Sequence, residues 1–147
     1  MKKLLFMVIL SVSIVAGFVA CSTQNSATIL GDTKWFLRSY GEQGHFRPII
    51  EGTEITATFD NTESRISGSA GCNTYFAGYE AEDGRLSISE MAYTERACLS
   101  PAGIMEQEQE YLYILANARS FQADDTTLTI FCSGGLQLYF TTANGIQ

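Results

Sequence analysis

The chain has 147 residues, of which 46% are hydrophobic and 17% charged, and a formal net charge of -7 at pH 7. This length suits one domain with a hydrophobic core of its own. The 9 Lys and Arg residues are few and unclustered beside 16 acidic ones, which argues against nucleic acid as a partner and against adhesion to anionic lipid by charge alone.

The N-terminus has the three parts of a secretory signal peptide, which is predicted to span residues 1–20. Lys2 and Lys3 form the basic part, residues 4–19 form the apolar part, and Ala20 is the small residue before the break. The chain is therefore expected to be exported.

Cys21 follows this leader directly, and Phe18–Cys21 resembles the lipobox of bacterial lipoproteins, in which the cysteine becomes the lipidated first residue. Phe18 departs from the aliphatic residue usual there, and an ordinary leader or an uncleaved anchor before a chance cysteine is the alternative. Residues 21–29 are predicted to hold the lipidated cysteine and a flexible tether. By resemblance to the enterobacterial sorting pattern, Ser22 implies an outer-membrane anchor that faces the periplasm.

Alternating apolar residues predict strands in the first half of the folded region. Lys34–Ser39 is the first strand, with Trp35 facing inward. Gly41–Pro48 contains glycines and a proline without an apolar period, and it is predicted to be a loop. Two further strands are expected, at Ile55–Phe59 and from Arg65 onward.

A hairpin and a helix are predicted next. Tyr75–Tyr79 alternates in the manner of a strand, Asp83–Gly84 is a strong turn signal, and the chain then returns along a second strand. Ser100–Pro101 has the form of a helix start, and the residues from Ile104 to Ala118 place apolar side chains on one face, interrupted by Glu108. The segments that predict a closing pair of strands are Phe121, Leu128–Cys132, the Gly134–Gly135 turn and Leu136–Phe140.

The order of several short motifs resembles the META domain of HslJ-type bacterial lipoproteins. These motifs are Lys34–Leu37, Gly68–Asn73 (GSAGCN), Tyr75–Tyr79, Leu86, Thr94 with Cys98, Met105–Leu115 and Leu128–Ile130. The resemblance places the domain at residues 30–143. It implies an α+β fold in which an open, barrel-like antiparallel sheet of about seven or eight strands carries one packed α-helix. The residues of the family motifs expected to be structural are Trp35, Gly71, Asn73, Thr94 and Glu108.

The cysteines are expected to divide by role. In an oxidising periplasm, Cys72 and Cys98 are predicted to form a disulfide that is worth roughly 3 to 4 kcal/mol. The alternative is a metal site, which is disfavoured because the chain adds only His45, far away in the sequence, to the two thiols. Cys132 lies in phase with neighbouring apolar residues, so it is expected to be a buried, inert thiol.

The remaining polar candidates are predicted to be structural. Asn73 suits a turn or a left-handed position beside Cys72, where its side chain can bond nearby backbone. Arg96 is expected to form an ion pair with a carboxylate such as Glu108, and an anion site is the alternative. His45 has no partner suited to catalysis, since the chain lacks a nucleophile elbow and a phosphate-binding loop. The tyrosines expected first in the core, with a groove as the alternative, are Tyr75, Tyr79, Tyr93, Tyr111 and Tyr113.

The sequence therefore predicts a non-enzymatic cell-envelope lipoprotein whose META domain is a protein-binding or assembly module, associated with stress by the family resemblance. Its partners would be the membrane, through the N-terminal lipid, and an unidentified envelope protein, without a cofactor, a metal or nucleic acid. The alternative is a carrier of lipid or a small apolar ligand. That function would need a cavity lined by Tyr75, Tyr79 and helix residues.

Overall fold

The computed structural model describes residues 30–145, which form nine strands and one long helix, with 3₁₀ turns at Ser133–Gly135 and Ala143–Gly145. The strands are β1 (Lys34–Glu42), β2 (His45–Pro48), β3 (Thr56–Asp60), β4 (Arg65–Ser69), β5 (Thr74–Glu82), β6 (Arg85–Tyr93), β7 (Ala118–Ala123), β8 (Thr127–Cys132) and β9 (Leu136–Thr141), and the helix is α1 (Ile104–Ala116). The predicted leader, the lipidation at Cys21 and the tether lie outside the described residues.

All strands pair antiparallel in the order β2-β1-β3-β4-β5-β6-β7-β8-β9, and β1 also pairs with β9. This additional pairing closes eight strands into a barrel and leaves β2 as an extra strand beside β1. Consecutive strands are neighbours almost throughout, because short turns such as Asp83–Gly84 return the chain directly onto its predecessor. The predicted α+β fold, with a barrel-like antiparallel sheet and one packed helix, is confirmed.

The barrel has one weak seam, between β6 and β7. β6 pairs with β5 from Arg85 to Tyr93, but its register with β7 consists of the single pair Arg85 and Ser120. Beyond that pair, a bulge places Glu90 and Met91 opposite one residue of β5, and Glu90 takes a left-handed φ of 50°. β7 begins only at Ala118, directly after α1, so with Arg85 opposite Ser120 it reaches no farther than residue 87 of β6, and the second half of β6 has α1 as its neighbour instead.

The core fills the barrel and the contact face of α1. Trp35, Leu37 and Phe59 are fully buried, and each such side chain contributes about 1.5 to 3 kcal/mol relative to exposure. The core also contains a short polar chain, in which the Tyr75 hydroxyl donates to the Thr56 carbonyl at 3.0 Å and lies 2.7 Å from the Tyr111 hydroxyl. Since Tyr75 uses its one hydrogen on the carbonyl, Tyr111 is the donor to Tyr75.

The predicted loop at Gly41–Pro48 is wrong in part, because residues His45–Pro48 form β2. All four residues are exposed, so their strand lacks the alternation that a buried face would impose on the sequence. Backbone pairing holds it against the end of β1, from Ser39 opposite Pro48 to Glu42 opposite His45, and the Arg47 guanidinium lies 5.1 Å from the centre of the Tyr40 ring in β1. Gly44 makes the turn with a φ of 87°.

The predicted helix start at Ser100–Pro101 is also wrong. The helix begins at Ile104, preceded by Gly103 in a left-handed conformation (φ 84°) that gives no side-chain cap. Ser100 and Pro101 belong to the irregular segment between β6 and α1. At the other end the helix stops at Ala116, so Ala118 is the first residue of β7 and not part of the helical face.

Candidate functional site

A groove of about 560 Å³ lies where the barrel is open, between the second half of β6, the segment that follows it and α1. Its apolar lining residues are Met91, Tyr93, Ala97, Met105, Leu112 and Tyr113, and its polar ones are Asn73, Thr94, Glu95, Arg96, Glu108 and Gln109. An apolar concavity with a few polar groups is typical of a binding site. We call this feature the β6–α1 groove.

Two tyrosines give the groove exposed aromatic surface. Tyr93, at the end of β6, is 50% exposed, and Tyr113, on the outer side of α1, is 65% exposed. Leu99, in the segment after β6, is 95% exposed. Tyrosine is enriched at protein interfaces because it combines a large apolar ring with a polar tip at a low entropic cost of ordering.

The floor of the groove is a saturated hydrogen-bond network around Asn73, which is 1% exposed. Its Nδ2 donates to the Arg96 carbonyl at 3.0 Å and to Glu108 Oε1 at 2.7 Å. Its Oδ1 accepts from the Thr94 hydroxyl at 2.9 Å and from the Arg96 backbone N–H at 2.8 Å. The amide therefore uses both hydrogens and both lone pairs of its oxygen, and it joins the start of β5, the segment after β6 and α1.

Glu108 is the charged group of this network and is 2% exposed. Its Oε2 accepts from the Asn73 backbone N–H at 2.6 Å, and its Oε1 accepts from the Asn73 side chain. The predicted ion pair between Glu108 and Arg96 does not form: Arg96 Nη2 instead donates to the Cys72 carbonyl at 2.8 Å. Glu108 belongs to none of the three ion pairs found in residues 30–145.

The segment Thr94–Ala97 forms one wall of the groove without belonging to a strand or a helix. Its position is set by the Asn73 bonds and by a disulfide between Cys72 and Cys98, whose Cα atoms are 6.0 Å apart. The expected disulfide is thus present. It fastens the entry to β5 to the segment that leaves β6.

The backbone of Tyr93 faces the groove side of the sheet. The N–H of Thr94 donates to the Thr74 carbonyl of the neighbouring chain segment at 3.0 Å. Since successive residues of an extended chain direct their backbone groups to opposite sides, the N–H and C=O of Tyr93 point away from β5. No strand of the described chain pairs with β6 at this position, so Tyr93 offers a free strand edge.

A sequence model of the META domain matches residues 28–145. The chain belongs to the META domain family. Among solved structures, this META domain is similar to a protein from Burkholderia xenovorans studied by NMR, with 28% identity and a TM-score of 0.66 over 80% of this chain and 86% of that one. A DUF4847 family protein from Bacteroides vulgatus shares the fold, with 17% identity, a TM-score of 0.56 and coverage of 78% and 94%. No curated protein matches the sequence.

The other predicted site residues of the META domain lie away from the groove. Trp35 is fully buried in the core, and Gly71 has a φ of 113° before Cys72, a conformation that favours glycine. His45 is exposed on β2, beside Arg47 and Glu110, which form a surface ion pair. No cluster of potential metal ligands occurs among the described residues. Within residues 30–145, no helix is long and apolar enough to span a membrane.

Of the five tyrosines expected in the core, three are buried there and two line the β6–α1 groove. Tyr75 and Tyr79 are 2% and 7% exposed and pack edge to face against Tyr111 and Phe59 respectively. They belong to the core and do not line the β6–α1 groove. Tyr93 lines the groove, as does Tyr113 on the helix.

Cys132 is buried in this META domain, and burial raises the pKa of its thiol to about 12 although Arg119 lowers it in part. A thiol with so high a pKa carries little thiolate at neutral pH and is unreactive. Met91 and Gln109 were not singled out in the sequence, since nothing in their local pattern indicates that a bulge and a helix face would bring them to one groove.

Proposed function

We propose that this META domain is a non-enzymatic, lipid-anchored binding module of the bacterial cell envelope, which captures an extended segment of a partner protein in the β6–α1 groove. The single observation that carries the proposal is the free edge of β6 at Tyr93 beside an apolar groove. An incoming strand could pair with that edge while alternate side chains enter the groove, which is the geometry of peptide recognition by strand addition.

The chemistry of the groove supports binding rather than catalysis. Its ionisable side chains are two tyrosines, two carboxylates and one guanidinium, and the hydroxyl of Thr94 is already committed to Asn73. Glu108, the one buried acid, accepts two hydrogen bonds and has no nucleophile as a partner. An activated nucleophile requires an adjacent base within hydrogen-bond reach.

The anchor is part of the proposal. Cys21 would carry the lipid, the polar residues 22–27 would give the domain reach, and Ser22 would direct it to the periplasmic face of the outer membrane. Palmitate labelling of the whole chain in a bacterial host tests this step. Label that disappears in Cys21→Ser supports it, and equal label in both proteins, or none in either, would contradict it.

Strand addition can be tested with a phage-displayed library of short random peptides, selected against the whole chain exported by a bacterial host and purified without reductant. The affinities of the selected peptides would be measured by fluorescence polarisation. We expect Tyr93→Pro to bind about two- to tenfold more weakly than Tyr93→Ala, since proline removes the N–H that an added strand needs. Proline is tolerated at such an edge position.

Phe76→Ala provides the matched control, because Phe76 is an aromatic residue of the neighbouring β5 that is 49% exposed and lies outside the groove lining. Its affinity for the selected peptides should equal that of the unmodified protein. Equal affinities of Tyr93→Pro and Tyr93→Ala would rule out strand addition. If the library yields no peptide that binds the β6–α1 groove, the proposed peptide-binding function is overturned.

A further inference from the structure

Glu108 carries more hydrogen-bonding capacity than the protein uses. A carboxylate offers about four lone-pair positions, and Glu108 accepts only two hydrogen bonds, both from Asn73. It is 2% exposed yet lines the β6–α1 groove. A buried carboxylate is costly unless it is paired and hydrogen-bonded, and the described part of the chain supplies it with no cation at ion-pair distance.

The other charges that face Glu108 do not replace that cation. Arg96, on the opposite wall, directs Nη2 to the Cys72 carbonyl. Glu95 is a second carboxylate in the lining, so the groove has two acidic groups against one basic group, in a chain whose net charge is -7. The electrostatic field in the groove therefore favours a cationic occupant.

The exposed tyrosines add a second attraction for the same kind of group. Tyr93 and Tyr113 contribute rings on either side of the groove, one from the end of β6 and one from α1. An ammonium group on an aliphatic stem can contact such rings through cation–π attraction and bury its methylene groups against apolar side chains. Met105 and Leu112 provide that apolar surface within the lining.

We propose that the segment captured in the groove carries a lysine whose ammonium group pairs with Glu108 between Tyr93 and Tyr113. This inference rests on the proposed function, since it names the chemistry of the peptide that strand addition would bring. The lysine would fill the unused acceptor positions of Glu108, and hydrophobic residues flanking it at alternate positions would occupy the rest of the groove.

The test uses the peptides selected from the random library and a copy of each in which lysine is replaced by norleucine, which keeps the stem and removes the charge. Selected sequences should share a lysine at one position. Against the whole, oxidised chain, the norleucine copy should bind about 30-fold more weakly, because removing one partner of a buried, hydrogen-bonded charge pair is expensive. In Glu108→Gln the two peptides should differ by less than about threefold.

Glu95→Gln is the matched control, because it removes an exposed carboxylate from the same groove. It should retain most of the preference for lysine, since water and salt weaken the effect of an exposed charge. Tyr113→Leu, at a position that is 65% exposed, should weaken the lysine peptide about two- to fivefold more than the norleucine peptide. These two variants do not disturb the Asn73 network.

The outcomes separate this inference from the proposed function. Peptides that bind the groove equally well with lysine and norleucine would overturn the lysine site and leave strand addition standing. The absence of any groove-binding peptide would overturn both. If Glu108→Gln does not fold, the comparison of the two peptides on the unmodified protein, together with Tyr113→Leu, still decides the question.

Discussion

Replacing Asn73 with aspartate is expected to destabilise the protein by about 3 to 5 kcal/mol at neutral pH. The new side chain has nearly the same shape but lacks both hydrogens of Nδ2. It therefore loses the bond to the Arg96 carbonyl, worth about 1 kcal/mol, and the bond to the Glu108 carboxylate, worth about 1.5 to 3 kcal/mol. The remaining cost arises because two carboxylates would then face each other in a buried site.

The loss can be measured by chemical denaturation of the oxidised protein, followed through the fluorescence of Trp35, which is the one tryptophan of the chain and is fully buried. Lowering the pH should reduce the difference between Asn73→Asp and the unmodified protein. The facing carboxylates bind a proton more tightly when the variant is folded, so its folding is favoured as the pH falls.

Thr94→Val is the comparison variant for this experiment, because at an exposed position it removes the neutral hydrogen bond to the same amide, together with the longer bond of 3.3 Å that the hydroxyl accepts from the Thr74 N–H. Its cost should be at most about 1 kcal/mol. The reasoning would be refuted if Asn73→Asp cost no more than Thr94→Val, or if its cost did not change with pH.

Two further predictions concern other hydrogen-bonded groups. In the turn between β7 and β8, bonds from Thr126, chiefly its backbone N–H, and from Thr127 lower the pKa of Asp124 to about 2. The stability that its ionised form contributes should be fully present above about pH 4 and should fall as the pH approaches 2. The difference in stability between the native protein and Asp124→Ala should therefore decrease over that range, and NMR titration should give the low pKa. Within the core, Tyr111→Phe should lower the free energy of unfolding by about 1 kcal/mol and Tyr75→Phe by about 2 to 3 kcal/mol. Only the second change leaves both a hydroxyl and a backbone carbonyl without a partner. Equal losses, measured by chemical denaturation, would contradict the assigned donor direction.

The strands that could be predicted from the sequence are those with one buried face and one more exposed face. In β5 and β8, buried residues alternate with more exposed ones, and this alternation is visible in the sequence because the core selects every second residue. In β2 no residue is buried, so the core imposes no alternation that would reveal the strand in the sequence. The helix start was misplaced because Ser100–Pro101 satisfies a local rule for helix starts, while the helix begins at Ile104.

The groove could not be predicted, since no local pattern encodes it. Its opening depends on the point at which the chain passes from α1 into β7, because β7 begins at Ala118 and no residue of it reaches the second half of β6. Its floor depends on Glu108 meeting Asn73, 35 residues earlier in the chain. The sequence did indicate that Glu108 needs a polar partner, because it interrupts an apolar helix face, but the partner it named was Arg96.

The network around Asn73 also bears on the proposed binding, because one wall of the β6–α1 groove is irregular. Residues Thr94–Ala97 belong to no strand or helix, and without other support such a segment would have to lose conformational entropy when a peptide binds. Here the Asn73 bonds and the Cys72–Cys98 disulfide fix the segment as part of folding. In the proposed binding, the conformational entropy of the wall would already be lost before a partner arrives, which favours tighter binding by the same contacts. Variants that test binding should therefore alter Tyr93 and Tyr113 and leave Asn73 intact, because a change at Asn73 would disturb both stability and the shape of the groove.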